Sequence, residues 1–106
     1  MKIIIVGDGK VGVALTEQLS KEGHDIVIID SDLKVLQQNV QDYDVMVVHG
    51  NGATMSALKE AGVETADLVI AATSADEINM LSCILAKKLG NRIHTIARVR
   101  NPEYVQ

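Results

Sequence analysis

Five short apolar runs recur along the chain: Ile3-Ile4-Ile5-Val6, Ile26-Val27-Ile28-Ile29, Val45-Met46-Val47-Val48, Leu68-Val69-Ile70-Ala71-Ala72 and Ile93-His94-Thr95-Ile96-Ala97. Hydrophobicity within them is largely continuous rather than alternating, the pattern of strands buried on both faces of a parallel sheet. Segments with helical period lie between them. Val11, Ala14, Leu15, Gln18 and Leu19 follow the i, i+3, i+4, i+7, i+8 rule with one polar exception. Leu33, Leu36 and Val40 do so over a shorter span, and Ile78, Leu81, Leu85 and Leu89 make the longest stripe. Ser74 followed three residues later by Glu77 reads as a capping box, and Gly23, Gly62 and Gly90 stand where three helices should stop.

The pattern therefore predicts a strand over 2–6, a helix over 10–22, a second strand, a helix over 32–40, a third strand, a helix over 53–61, a fourth strand, a helix over 75–89 and a fifth strand. Alternating strands and helices specify an α/β fold with a doubly wound parallel sheet. Right-handed crossovers and a reversal after the third strand give the order 3-2-1-4-5, with a ligand crevice at the carboxyl ends of the first and fourth strands.

Composition narrows the function classes. A chain of 106 residues with 47% hydrophobic and 23% charged residues fits one globular domain, spanning 1–106. The net charge of -4 gives no basic footprint for nucleic acid, and two Tyr with no Phe or Trp leave no platform for stacking bases. No apolar run approaches the ~20 residues that span a bilayer, and the first strand follows Met1 too closely for a signal peptide. A soluble, intracellular protein that does not itself enter the membrane is expected. Cys83 lies mid-helix between Leu81 and Leu85, where packing is the expected role.

The candidate chemistry begins at Gly7-Asp8-Gly9-Lys10-Val11-Gly12, a GxGxxG between an apolar strand and an amphipathic helix. In such a motif the first glycine permits the tight turn, the second lets backbone approach a pyrophosphate and the third lets the helix pack closely on the sheet. Asp30, at the end of the second strand, stands where a carboxylate accepts hydrogen bonds from both ribose hydroxyls and repels a 2′-phosphate. Together they define a Rossmann-like site for NAD(H) or another unphosphorylated adenosine nucleotide. The competing role for Asp30 is a cap for the next helix, shared with Ser31 and Asp32. Two further loops should border the crevice. Gly50-Asn51-Gly52, after His49, suits a position under the adenine ring, and Thr73-Ser74 one beside the nicotinamide or phosphates. Arg98 and Arg100 share a side of the fifth strand if it runs that far, so both guanidiniums would aim at phosphate oxygens.

Catalytic partners are not evident. His24 and His94 fall at the amino-terminal end of the sheet, and His49 has no visible carboxylate partner. Asp30 with Asp32 is too sparse a set for a metal ion. The alternative reading is the cofactor half of an NAD-dependent oxidoreductase whose substrate domain lies elsewhere. A methyltransferase would normally have a different glycine spacing.

Beyond the glycine motif, the chain carries Asp25-Ile26-Val27-Ile28-Ile29-Asp30-Ser31-Asp32, Gly50-Asn51-Gly52, Glu60-Ala61-Gly62 before Ala66-Asp67, Ala72-Thr73-Ser74-Ala75-Asp76-Glu77-Ile78-Asn79-Met80 and Ile96-Ala97-Arg98-Val99-Arg100. In these stretches it resembles the RCK, or KTN, family: the N-terminal nucleotide-binding lobes of Trk potassium-uptake regulators. The resemblance implies a cytoplasmic regulatory domain that binds NAD(H), ATP or ADP. Its partner would be the membrane subunit of a potassium channel or transporter, with a homo-oligomeric ring in the full-length protein. It places Gly7, Gly9, Gly12, Asp30, Thr73 and Ser74 at the nucleotide and raises Arg98 as a phosphate contact. Family members continue past the fifth strand with a helix, a strand and a crossover helix that join two lobes. Those elements are absent from these 106 residues, so the N-terminal lobe alone is expected.

Overall fold

The computed structural model describes residues 1–7 and 9–104, with the Lys10 side chain also outside the description. Five parallel strands, β1 (Lys2–Val6), β2 (Asp25–Asp30), β3 (Met46–His49), β4 (Leu68–Ala71) and β5 (His94–Ala97), form one sheet in the order β3-β2-β1-β4-β5. This is the predicted doubly wound order. The helices are α1 (Lys10–Lys21), α2 (Leu33–Asp42), α3 (Met55–Glu60) and α4 (Asp76–Leu89).

Strand periodicity divides the core. Ile3, Ile5, Ile26, Ile28 and Ile70 pack with Leu36 of α2 and with the partly buried Leu15 and Leu19 of α1 on one face. Ile4, Val6, Val27, Ile29 and Val69 pack with Leu58, Cys83 and Ala86 on the other. Neighbouring residues of one strand thus enter opposite cores, which is why β1 and β2 are written almost wholly in Ile and Val. Edge positions differ: Met46 of β3 is 72% exposed and Ile96 of β5 55%.

The helix faces turn differently from the apolar stripes. On α1 the buried residues are Gly12 and Thr16, while Val11 and Val13 are exposed. On α2, Asn39 is buried beside Leu36, and Leu33 and Val40 face outward. On α4, Asn79, Ser82, Cys83 and Ala86 lie inward, and Leu81 is exposed. Small side chains let a helix approach a sheet closely, and a polar atom among them is tolerated when it bonds nearby backbone. Thr16 Oγ1 donates to Gly12 O (2.8 Å), and Asn39 Nδ2 to Val35 O (2.9 Å).

The predicted capping box is also replaced. Ala75 is the N-cap of α4 and brings no side-chain cap. The Thr73 hydroxyl accepts from Ala75 N at 3.2 Å, and Glu77 instead accepts from Tyr104 Oη at 2.9 Å. Gly23 and Gly62 end their helices in the left-handed region at φ +82°, but Gly90 ends α4 in an extended conformation.

Gly52 is fixed by close packing. A Cβ there would lie 2.1 Å from Val6 Cγ1, inside the core. Gly52→Ala is expected to lower stability by about 1–3 kcal/mol through overpacking, measured by urea denaturation. An unchanged midpoint would show that the loop relocates freely.

Candidate functional site

A cleft of about 410 Å³ opens where β1, β2, β3 and β4 end, a volume within the range of small-molecule sites. Its walls come from four successive strand exits. Val6 ends β1 and Gly7 and Gly9 follow it; Ile29 and Asp30 end β2 and Ser31 follows. Gly50, Asn51 and Gly52 follow β3, and Thr73, Ser74, Ala75 and Ile78 come from the exit of β4 and the start of α4. Strand bonding carries into each exit: Gly7 N donates to Ile29 O (2.8 Å), Gly50 N to Asp30 O (2.9 Å) and Ala72 N to Val6 O (2.9 Å).

Gly7 occupies φ +86°, and a Cβ on it would meet Thr73 Cγ2 at 2.7 Å and Thr73 Cα at 2.9 Å. Both backbone conformation and the neighbouring loop therefore require glycine. Gly9 is different. Its backbone, at φ -66° and ψ -167°, suits any residue, and among the described residues, its chain neighbours aside, a Cβ there would meet no atom within 4 Å. It is also the N-cap of α1 with no side-chain cap, at a helix end whose opening amides generally lack intrahelical partners. Among the described residues beyond its chain neighbours, no packing contact accounts for a glycine at this point.

Asp30 and Asp32 divide their work. Asp32 is the N-cap of α2, accepting from Lys34 N at 2.9 Å. Asp30 Oδ1 accepts from Asp32 N at 2.8 Å, which orders the turn with one of its two carboxylate oxygens and leaves Asp30 in the cleft wall. The capping role considered for Asp30 thus belongs to Asp32. His49 Nε2 lies 3.0 Å from Ser31 O, joining the β2 and β3 exits. Asn51 Oδ1 accepts from Ala53 N (2.8 Å), and Ser82 Oγ donates to Gly52 O (2.8 Å), so the β3 loop is fastened to α4.

Other predicted residues lie elsewhere. Asp8 falls outside the described residues, as does the side chain of Lys10. Val11 and Gly12 lie in the first turn of α1, outside the cleft wall. β5 ends at Ala97, so Arg98 and Arg100 do not form the expected pair along a strand. Arg98 is absent from the cleft wall, and the Arg100 guanidinium donates to Ser74 O. The apolar wall residues Val6, Ile29, Ala75 and Ile78 were not predicted; the signals available were the position of Val6 and Ile29 at strand ends and of Ala75 and Ile78 at the start of α4.

Asp76 and Asn79 were missed as well. They are buried polar residues spaced i, i+3, in period with Cys83 and Ala86. Hydrogen bonds from Arg100 N and Asn101 N, aided by the positive charges of Arg100 and Arg98, hold the Asp76 carboxyl below the usual carboxylate range. Burial pushes the Cys83 thiol up, so at neutral pH it stays protonated and packs as a small apolar group. A second depression, about 480 Å³, lies at the opposite end of the sheet between Met1, Asp67, Leu68, Arg92 and His94. It has none of the glycines that shape the first.

Sheet order and cleft define a Rossmann-like domain, with loops gathered at the switch point between β1 and β4. The sequence profile of the TrkA-N domain matches residues 3–106, and the chain belongs to this family. It is 42% identical over 106 residues to the Trk system potassium uptake protein TrkA of Haemophilus influenzae, covering all of this chain and 23% of that protein. It is 45% identical over 105 residues to a TrkA homolog of Archaeoglobus fulgidus, covering 99% and 23%. The chain thus spans about a quarter of the length of these two relatives.

Among solved structures, the TrkA-N domain of the Escherichia coli inner membrane protein ybaL superposes with a TM-score of 0.90 at 24% identity, covering 98% of this chain and 76% of that one. The GsuK channel bound to NAD gives 0.83 at 22%, covering 97% and 18%. The Shewanella denitrificans Kef C-terminal domain in its AMP-bound form gives 0.80 at 24%, covering 98% and 62%. No helix among the described residues is long and apolar enough to cross a membrane.

The Asp76 anchor sets a pH dependence. A carboxyl whose pKa is lowered by folding contributes stability above its unfolded value and loses it as pH falls through the folded one. Urea unfolding should therefore show Asp76→Asn less stable than the parent at pH 7, with the gap closing below the usual carboxylate range. A gap independent of pH would contradict a charged anchor.

Proposed function

We propose that this chain is the nucleotide-sensing lobe of a cytoplasmic regulator of potassium uptake, binding NAD(H) or an adenosine phosphate such as ATP or ADP. The observation that carries the reading is Gly9: an unstrained backbone with open space among the described residues where its Cβ would stand, at a helix start in the cleft wall whose N-cap brings no side chain. A phosphate fits these constraints. It accepts the opening amides of α1 and needs the approach that a side chain would obstruct. Asp30 then meets the ribose, Gly50 to Gly52 border the adenosine and Thr73 and Ser74 face the far end of the ligand.

The kinship with potassium uptake proteins supports regulation of transport, and the NAD-bound and AMP-bound structures of related fold support the ligand class. In this reading a membrane channel or transporter subunit is the partner, and the full-length protein acts as a homo-oligomer at the cytoplasmic membrane surface. The lobe is a sensor rather than an enzyme. The His49 ring lies against the Ser31 carbonyl, a backbone tie that accounts for it without a catalytic role. Regulation follows if the ligand binds one state of the assembly more tightly than another.

Calorimetric titration with NAD, NADH, ATP and ADP tests the reading, and no binding by any of them would overturn it. Gly9→Ala should weaken the bound nucleotide at least about tenfold while leaving the unfolding midpoint unchanged, in contrast to Gly52→Ala. Asp30→Ala should cost roughly 1–3 kcal/mol of affinity, as for a charged acceptor of hydrogen bonds. Equal affinity in both variants would move the ligand away from this cleft.

A further inference from the structure

The cleft wall supplied by the β4 exit is held by a polar network. Asn79 is fully buried, at 0% exposure. Every hydrogen-bonding position of its side-chain amide is used: Oδ1 accepts from Thr73 N (2.8 Å) and Thr73 Oγ1 (2.6 Å), and Nδ2 donates to Thr73 O (3.0 Å) and Arg98 O (2.8 Å). One turn earlier, the two Asp76 carboxylate oxygens accept from Arg100 N (3.0 Å) and Asn101 N (2.7 Å). The Arg100 guanidinium donates back to Ser74 O. Two consecutive wall residues, Thr73 and Ser74, are therefore each joined to the segment that follows β5.

A buried amide costs free energy unless all its groups are bonded, and an alanine or leucine would fill a helix face without that demand. The amide's particular use is to hold two backbones at once. Thr73 in turn lies against Gly7, so a ligand seated on the glycine turn is one contact from the network.

We propose that Asn79 is a positioning residue that makes the cleft wall at Thr73 and Ser74 and the segment Arg98 to Asn101 move as one unit, so that nucleotide occupancy is read out as the stability of that segment. The inference rests on the nucleotide reading above. A ligand bridging Gly9 and Thr73 restrains the β4 exit, and through Asn79 and Asp76 it restrains the segment beyond β5. Linkage makes the effect reciprocal: loosening the segment weakens the ligand.

Amide hydrogen exchange of the full chain, with and without saturating NAD, tests this. Exchange at Arg100 and Asn101 should slow at least about fivefold with NAD. Asn79→Ala should abolish that ligand-dependent slowing and weaken NAD about tenfold, whereas a merely structural Asn79 would lower stability and leave the slowing in place. Should Asn79→Ala fail to fold, Asp76→Asn, which keeps the side-chain shape, is expected to reduce the slowing at the same two amides. NAD that binds the parent chain without altering exchange at Arg100 and Asn101 overturns the coupling and leaves the nucleotide reading standing. Absence of binding by NAD, NADH, ATP and ADP overturns both.

Discussion

At the centre of the sheet β1 and β4 run side by side, and the backbones that leave them pack closely at Gly7 and Thr73. Gly7 turns into the left-handed region against Thr73, with no room for a Cβ between them. From this approach follow the turn into α1, the position of Gly9 at the helix start and the height of the Thr73 wall. The β3 exit closes the site from the other side, where Gly52 rests on Val6 and is tied by its carbonyl to Ser82. Between these fixed points remains an opening at Gly9 into which no described side chain beyond its chain neighbours reaches.

Much of this was legible in the sequence because it rests on strong local constraints. Continuous Ile and Val runs specify strands buried twice, and the sheet order follows from connection rules. Gly7, Gly9, Asp30, Ser31, Gly50 to Gly52, Thr73 and Ser74 all reach the cleft wall, because the exits of parallel strands gather at one edge. What the apolar pattern misread was the turn of the helices. Thr16, Asn39 and Ser82 occupy inward faces, and hydrophobicity does not mark a polar residue whose donor bonds backbone close by.

Arg98 and Arg100 illustrate a different limit. Their shared side depended on a strand that stops at Ala97, and beyond it the chain is directed by side chains of α4. Asp76 and Asn79 read as ordinary helix residues until Arg98, Arg100 and Asn101, at least 19 residues away in sequence, are in place beside them. Long-range hydrogen bonds of this kind leave no periodic trace. The same network gives the cleft a physical route to the end of the sheet, while the division of roles between Asp30 and Asp32 leaves Asp30 available to a ligand.

The central claim is that the opening beside Gly9 holds an adenine nucleotide. The most direct measurement is a titration of the isotope-labelled chain with NAD followed by amide chemical shifts. Shifts concentrated at Gly7, Gly9, Asp30, Gly50 and Thr73 are predicted. No shifts, or shifts centred on Met1, Asp67 and His94 at the opposite end of the sheet, would contradict it.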